Sequence, residues 1–278
     1  MQKKLKSAAF PLLSIIIGLS FSSLASIAQE AEPTDFNPGD FSGDWDRVTS
    51  IVTYSNVPGS SRAPNNRPME DVGPVAEAPF TAEGLALIEA NDPGYGPRRQ
   101  MVRNDPLGRC EPMGIPRNLT AEVLVPHNTL EIVQLPDRII QFFEYRHDWR
   151  EIWMDGRELP DLDIYDFKWN GYSIGHMDGD TLVVESVGFD DRSWLDKYGY
   201  PHSDQMHLIE RYRRIDADTL ELTMTLTDPV VYTEPWESDV KIYKLNREKR
   251  AGWDEQIYCV PAEEMLFQDL MDTGNVIQ

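Results

Sequence analysis

The sequence predicts a mainly β protein in which an antiparallel meander closes into a barrel or a strongly curved sheet. Three observations support this class: short β-type segments follow one another from residue 129 to residue 260, turns separate them, and no helix-length pattern lies between them. This many sequential strands closes most readily into a barrel. The 278 residues, of which 41% are hydrophobic, fit one fairly large domain.

The chain begins with the features of a secretory signal peptide. A basic start, Met1–Lys6, precedes an apolar stretch at residues 11–19 and small residues that end at Ala28. The apolar stretch is short for a membrane span, and an uncleaved anchor is the alternative. We therefore expect residues 1–28 to be removed, and the mature protein, residues 29–278, to be periplasmic or extracellular and not attached to a membrane.

The part of the mature chain before the meander, residues 29–128, is irregular and rich in Pro and Gly. We predict a first strand at residues 49–54, followed by a long loop. One short helix is predicted at residues 81–90, where the Thr81 side chain can cap the first turn. The segment 109–117 contains many turn-forming residues, and we expect it to pack against the core.

The meander occupies residues 129–260, and a C-terminal tail follows at residues 261–278. Hairpin turns are predicted at Asp178-Gly179, which is a strong type I′ signal, and at Asp216-Ala217-Asp218. The predicted strands are 129–134, 138–145, 149–154, 171–177, 181–188, 205–215, 219–227, 240–246 and 255–260.

Acidic residues dominate the charge of the chain. There are 47 Asp and Glu against 26 Lys and Arg, a formal net charge of −21, which falls to −24 when Lys3, Lys4 and Lys6 leave with the signal peptide. Such a charge argues against nucleic acids and anionic membranes as partners. There is no P-loop, G-x-G-x-x-G or G-x-S-x-G motif to support a nucleotide, nicotinamide or serine-hydrolase function. We expect no cofactor, and the charge does not identify an oligomeric state.

Cysteine and histidine usage gives little support for a metal. Cys110 and Cys259 are the two cysteines, and an oxidising compartment allows a disulfide between them, with two buried free thiols as the alternative. Two cysteines are too few for a cysteine zinc site, and no H-E-x-x-H motif occurs. We predict no metal; a site assembled with His147 or His176 is the alternative.

Two resemblances bear on the fold. Gly43-Asp44-Trp45 ahead of a meander resembles the G-x-W start of lipocalin-type barrels, which hold small apolar molecules in the barrel mouth, and this implies a lipocalin-like barrel. Residues 109–236 resemble a large, functionally uncharacterised family of secreted bacterial proteins, through phrases such as Gly179-Asp180-Thr181-Leu182-Val183-Val184 and Gly188-Phe189. That resemblance implies export and a shared β fold, and it implies no catalytic residues.

A carboxylate is predicted to lie on an apolar face of the second hairpin. A three-residue loop at 216–218 pairs Ile215 with Thr219, which puts Glu210 on one face with Tyr212, Leu208 and the apolar residues of the facing strand. A buried carboxylate must be protonated or paired. Glu210 is therefore either a general acid or base or one half of an internal salt bridge with an arginine such as Arg146 or Arg150.

The first hairpin places a second carboxylate in a similar stripe. Pairing of Met177 with Asp180 puts Glu185 on one face with Tyr172 and Val183. If that face is the inner one, Glu185 and Glu210 form a pair in one cavity and can divide acid and base roles. If the register slips by one residue, Glu185 faces solvent instead.

The connection at residues 190–204 is longer than a hairpin requires and carries several aromatic residues. We interpret it as a flap over the barrel mouth that supplies Asp191 and the proton shuttle His202. The alternative is a self-packed loop held by Trp194.

Aromatic residues are dense from Phe142 to Trp169. Alternation puts Trp149 and Trp153 on one face, and such a wall either belongs to the core or stacks on a flat ring ligand. We expect ligand contacts from a set of aromatic and imidazole side chains: Trp149, Trp153, His176, Trp194 and Phe142.

The function predicted from these residues is cofactor-independent acid/base chemistry, of isomerase or lyase type, on a small apolar or aromatic molecule. Glu185 and Glu210 are the acid/base candidates, Tyr172 orients the substrate, and Asp191 and His202 come from the flap. The alternatives are a periplasmic binding or carrier protein without turnover, and a structural envelope protein.

Overall fold

A computed structural model describes residues 36–47, 78–91, 104–120, 129–196, 199–238 and 240–248, which all belong to one structural unit, Asp35–Gln278. The predicted signal peptide, the predicted strands at 49–54 and 255–260, and the C-terminal tail lie outside the described residues.

The described strands form a closed barrel. They are β1 (Gly43–Arg47), β2 (Thr129–Gln134), β3 (Arg138–Phe143), β4 (Asp148–Trp153), β5 (Tyr172–Asp178), β6 (Thr181–Val187), β7 (His207–Asp216), β8 (Thr219–Thr227), β9 (Trp236–Glu237) and β10 (Lys241–Leu245). Neighbours pair in chain order from β1 to β9, and β10 pairs with both β1 and β8. Nine strands therefore close on themselves, with the short β9 beside β8, and the predicted mainly β barrel is confirmed.

Two α-helices are described besides the strands: α1 (Ala82–Ala90) and the single turn α2 (Arg117–Thr120). The hydroxyl of Thr81 accepts a hydrogen bond from the backbone N–H of Gly84 at 3.0 Å, so Thr81 caps α1 as its sequence predicts. Short 3₁₀ turns at Pro106–Arg109 and Tyr145–His147 complete the helical elements of the described residues.

One junction departs from a simple meander. All pairings between these strands are antiparallel except that of β4 with β5, which is parallel and joins only Ile152 to Ser173 and Trp153 to Ile174. Parallel neighbours need a connection that returns along the barrel. Residues 154–171 make this return. Only two residue pairs therefore join the two strands at this place in the barrel wall, which we call the β4–β5 seam.

The inside of the barrel is packed with side chains. Trp45 of the G-x-W segment, Tyr212, Tyr243 and Ile132 are among the largest fully buried residues. Trp45 donates its indole N–H to the carbonyl of Phe41 at 2.8 Å, and the guanidinium of Arg214 lies 5.3 Å from its ring centroid. The segment before Arg117 packs onto this core as predicted, because Ile115 is fully buried.

The two hairpin registers differ in how well they were predicted. In β7–β8, Glu210 faces Met224 and Tyr212 faces Leu222, as predicted, although the ladder shifts between Arg214 and Asp216. In β5–β6 the predicted pairing of Met177 with Asp180 is wrong, because Asp178 pairs with Thr181.

The physical reason is the conformation of the β5–β6 turn. Gly179 is the first of two loop residues and has a φ of +59°, while Asp180 is not among the residues with positive φ. A glycine in the first loop position is typical of a type II′ turn, not of the type I′ turn that was predicted. The shift is two residues, so each side chain keeps its predicted face.

The connection between β6 and β7 packs into the core. Phe189, Leu195, Tyr200 and Met206 are all buried and belong to the same hydrophobic cluster as the barrel strands. The carboxylate of Asp228, after β8, accepts hydrogen bonds from the Ser203 N–H at 2.6 Å and the Ser203 hydroxyl at 2.8 Å. The described part of this connection is therefore packed against the core, which differs from the predicted flap and from the alternative of a surface loop packed on itself. Among the residues described, no helix is long and apolar enough to cross a membrane.

Candidate functional site: an aromatic cleft at the β4–β5 seam

A cleft of about 730 Å³ lies where β4 and β5 separate on the outside of the barrel. Its volume falls within the range of about 300–1,000 Å³ that is usual for small-molecule sites. The cleft is lined by residues of β4, by the 154–171 connection and by the start of β5: Pro112, Asp148, Trp149, Arg150, Glu151, Trp153, Arg157, Glu158, Pro160, Tyr165, Lys168, Trp169, Asn170, Gly171, Tyr172, Ser173 and Ile174.

Five of the lining residues carry aromatic rings: Trp149, Trp153, Tyr165, Trp169 and Tyr172. Tyr165 and Tyr172 contact each other edge to face, with ring centroids 5.9 Å apart. The Tyr172 hydroxyl donates to the carbonyl of Asp166 at 2.9 Å, and desolvation, together with the Asp166 charge, raises the pKa of Tyr172. The aromatic wall that the sequence predicted from Trp149 and Trp153 therefore lines a cleft and does not belong to the barrel core.

Trp153 is covered on both faces by protein cations. The Cζ atom of Arg138 lies 4.0 Å from the ring centroid, and that of Arg157 lies 3.5 Å from it. Two guanidinium groups this close to one centroid would collide if they shared a face, so they lie on opposite faces. Trp153 is therefore a wall of the cleft, with neither face free for a ligand ring.

Trp149 differs from Trp153 in being open. It is 52% exposed, and no protein cation lies over it among the described residues. It also lines a second, smaller cavity of about 250 Å³ together with Pro112 and Asp148. Trp149 therefore offers the most accessible tryptophan surface of the cleft.

Asp148 and Asn170 fix the position of Trp149. The Asn170 side-chain N–H group donates to the Trp149 carbonyl at 3.1 Å and to Asp148 Oδ1 at 3.0 Å. Asn118 donates to the other Asp148 oxygen at 2.7 Å. The first half of β4 does not pair with β5, so the Asn170 side chain satisfies the Trp149 carbonyl that a neighbouring strand would otherwise bind.

Trp169 also lines the cleft and is supported by the connection between β6 and β7. The Arg192 guanidinium lies 4.5 Å from the Trp169 ring centroid and is held by both oxygens of Asp190, at 2.8 and 2.6 Å. The Trp169 carbonyl accepts a hydrogen bond from Ile115 N at 3.2 Å. Trp149 and Trp169 are therefore held in place by different parts of the fold.

Glu210 lies inside the barrel and is fully buried in an ion pair. Arg150 donates to its two carboxylate oxygens at 2.8 and 2.5 Å, and the Tyr212 hydroxyl donates at 2.6 Å. The Arg150 Nε–H donates to Gln141 at 2.8 Å. Although desolvation opposes its charge, the field of Glu210 raises the pKa of Arg150, and desolvation raises that of Tyr212 well above its usual value. Glu210 is therefore the internal salt bridge that the sequence left as an alternative, and no hydroxyl or guanidinium proton of this cluster is released near neutral pH.

Glu185 lies on the outer face, so the predicted Glu185–Glu210 pair in one cavity does not form. Leu182, Val184 and Ser186 face the core, and Glu185 accepts a hydrogen bond from His207 Nε2 at 2.7 Å. Its side chain is 41% exposed. The prediction that Glu185, Tyr172 and Val183 share a face is confirmed, and the condition for a Glu185–Glu210 pair, that this face is the inner one, is not met.

The other predicted site residues are dispersed. Tyr172 lines the cleft, whereas Phe142 lies on the outer face opposite Trp149 without lining it. His176 is exposed near the far end of β5, Trp194 is buried, and Asp191 is exposed, and none of these three lines the cleft.

His202 is buried and cannot act as a solvent-facing proton shuttle. Its Nδ1 lies 3.1 Å from the Ser203 carbonyl, which can only accept, so Nδ1 carries the proton and Nε2 accepts from the Ser193 hydroxyl at 2.7 Å. Desolvation lowers the pKa of His202, against smaller opposing effects of the Ser203 carbonyl and nearby aspartates. Ser193 and His202 have the order of a nucleophile and its base, but they are 1% and 2% exposed. The pair therefore holds the connection in place.

We expect the buried His202 to make stability depend on pH. Because its pKa is lowered on folding, the unfolded chain takes up a proton below about pH 6.5 while the folded protein does not, so the free energy of unfolding falls as the pH decreases through this window. Urea unfolding of the wild type and of His202→Gln between pH 7.5 and 5 tests this. The advantage of the wild type should shrink towards pH 5, and an advantage that stays constant with pH would exclude His202 as the cause.

Some of the residues that line the cleft could not be predicted from the sequence. Arg157, Lys168 and Asn170 reach the cleft because the 154–171 connection folds back along the parallel β4–β5 seam. Their spacing in the sequence is that of an ordinary polar loop.

Within the described part of the chain, no group of three or more His, Cys, Asp and Glu residues is arranged to hold a metal ion. Cys110 is disulfide-bonded, as one of the two alternatives predicts, and Cys259 lies outside the described residues.

Comparisons of the chain with protein-family models, with curated proteins and with solved structures find no significant match.

Proposed function

We propose that this protein is an exported binding or carrier protein that holds a small molecule with a flat ring in the aromatic cleft. The observation that carries the proposal is Trp149, a half-exposed tryptophan in a cleft of ligand size whose other walls are also aromatic. A ring is complementary to such a surface because stacked or edge-to-face aromatic contacts add to the burial of apolar area. Export rests on the signal peptide predicted at residues 1–28.

Binding without turnover is the better supported of the functions predicted from the sequence. Glu210 is buried and paired with Arg150, and Glu185 contacts His207 on the outer face, and neither lines the cleft. Of the carboxylates that do line it, Glu151 is paired with Arg138 at 2.9 Å. Acid/base chemistry by the predicted residues would have no access to a ligand held against Trp149.

Ligand titration of the wild type and Trp149→Ala tests this function. Aromatic and terpenoid compounds are screened by thermal shift, since a ligand that binds only the folded state raises its apparent stability. For a compound that binds, Trp149→Ala should weaken the affinity roughly 5- to 150-fold, because ring stacking contributes about 1–3 kcal/mol. Calorimetric titration measures the dissociation constant.

Two further variants make the result specific to the ring. Trp149→Phe keeps a ring and should retain most of the affinity. Met177→Ala removes a side chain of 39% exposure near the end of β5, outside the cleft, and should not change the affinity. The proposal fails if no compound of the panel binds, or if Trp149→Ala binds as tightly as the wild type.

A further inference from the structure

The arginines that line the cleft or stack on its tryptophan rings are paired with carboxylates. Each binds a carboxylate of its own, with N···O distances between 2.5 and 2.9 Å: Arg138 with Asp137 and Glu151, Arg150 with Glu210, Arg157 with Asp155, and Arg192 with Asp190. None of these charges is left over for a ligand.

Lys168 is the exception among the cations that line the cleft. Its ammonium lies 4.1 Å from the ring centroid of Tyr172, and among the described residues no carboxylate comes within 4.0 Å of it. The contact with the ring leaves the three ammonium N–H donors free of any anionic acceptor.

The backbone of Lys168 is held on both sides. Its N–H donates to the Gly188 carbonyl at 2.9 Å, and its carbonyl accepts from Asp190 N at 2.9 Å, which makes a parallel bridge with Phe189. The base of the side chain is thus fixed to the barrel wall, and the residue is not part of a free loop tip.

The net charge of the chain affects what an unpaired group can indicate about a ligand. Acidic residues outnumber basic ones by 47 to 26, so many carboxylates must lack a cation, and Glu158, a cleft-lining example, indicates nothing about a ligand. Exposed cations outside the cleft, such as Arg213, also have no carboxylate partner among the described residues, so Lys168 is informative because it is unpaired and also lines the cleft. The general repulsion of an anion by the net charge of −21 is screened over about 8 Å at physiological ionic strength, so a contact at Lys168 can prevail locally.

We propose that the ligand of the cleft is an acidic ring compound, in which the ring stacks on Trp149 and a carboxylate or similar anionic group binds the Lys168 ammonium. This inference rests on the proposed binding function and names the ligand class. A charge-assisted hydrogen bond of an ammonium to a carboxylate is stronger than the bond of the same ammonium to a neutral amide oxygen. The site should therefore distinguish an acid from its amide.

Calorimetric titration with 2-naphthoate, 2-naphthamide and 2-naphthylmethylamine tests the ligand class, because the three probes share a ring and differ in charge. The wild type should bind the acid about three- to tenfold more tightly than the amide, and the amine most weakly. This preference for the acid should decrease as NaCl is raised.

Two charge variants locate the effect. In Lys168→Gln the acid and the amide should bind with equal affinity. Arg213→Gln removes an exposed cation of β7 that does not line the cleft, and it should keep the preference for the acid. Circular dichroism and thermal unfolding establish that both variants are folded.

The two proposals fail in different ways. Equal binding of acid and amide by the wild type, tighter binding of the amine, or an acid preference that persists in Lys168→Gln overturns the acidic ligand class while leaving ring binding intact. Failure of all three probes to bind overturns this inference, and it overturns the proposed function as well if no compound of the thermal-shift panel binds.

Discussion

Replacement of Glu210 by glutamine is expected to lower the free energy of unfolding by roughly 3–5 kcal/mol, because it leaves the Arg150 guanidinium buried without a counter-charge. Arg150 and Glu210 are 3% and 0% exposed, and their ion pair is closed by the Tyr212 hydroxyl. The glutamine can still accept one hydrogen bond from Arg150, but it cannot balance the charge. Urea unfolding at pH 7 measures the difference.

Two controls distinguish burial from charge. Glu185→Gln removes the same charge from the outer face, where the side chain is 41% exposed, and should cost at most about 1 kcal/mol. The double replacement Arg150→Met with Glu210→Leu removes both charges from the core and should recover much of the loss of Glu210→Gln. A loss below 1 kcal/mol in Glu210→Gln, or no recovery in the double variant, would contradict this account of the pair.

The position of Glu210 could be predicted from the sequence, but its partner could not be chosen. The β7–β8 hairpin sets its own register through a short loop, so the face shared by Glu210, Tyr212 and Met224 follows from local spacing. Arg150 lies on β4, and β5 and β6 separate it from β7 in the sheet. A contact across the barrel depends on closure, which no local pattern contains.

Glu185 shows the opposite case, in which the local pattern was ambiguous. Both faces of β6 carry apolar residues: Leu182 and Val184 face inward, while Val183 and Val187 share the outer face with Glu185. Two apolar stripes in one strand do not identify the core side. The strand bounds and the hairpin could be predicted, and the side of the wall required the neighbouring strands.

The cleft could be predicted in its aromatic residues but not in its shape. Trp149 and Trp153 share a face by alternation, as expected, yet a meander implies antiparallel neighbours throughout. The parallel pairing of β4 and β5 joins only two residue pairs, and Trp169 of the returning connection lines the same cleft as Trp149. Parallel order depends on the path of a long connection, which its composition does not specify.

Gly114→Ala is expected to destabilise the protein by about 2–4 kcal/mol and to weaken ligand binding, because Gly114 supports the Trp169 wall of the cleft. Gly114 has a φ of +70°, and a Cβ atom there would lie 2.5 Å from the Trp169 carbonyl oxygen and 3.1 Å from the Ser193 hydroxyl. The carbonyl is backbone, so relief of the contact would require the wall itself to move. Urea unfolding and titration with a cleft ligand measure the two effects.

Two other glycines separate the backbone cost from the steric cost. Gly156 has a φ of +78°, and a Cβ atom at this position would have no other atom within 4 Å. Gly156→Ala should therefore lower the free energy of unfolding only by the roughly 1–2 kcal/mol that the left-handed conformation costs. Gly108 has neither a positive φ nor a close neighbour, and Gly108→Ala should be neutral or slightly stabilising because alanine restricts the unfolded chain. If Gly114→Ala costs no more than Gly156→Ala and leaves ligand affinity unchanged, the close approach of Gly114 does not hold Trp169 in place. A larger cost confined to Gly114→Ala, with weaker ligand binding, ties the wall of the cleft to the segment that enters the core at Ile115.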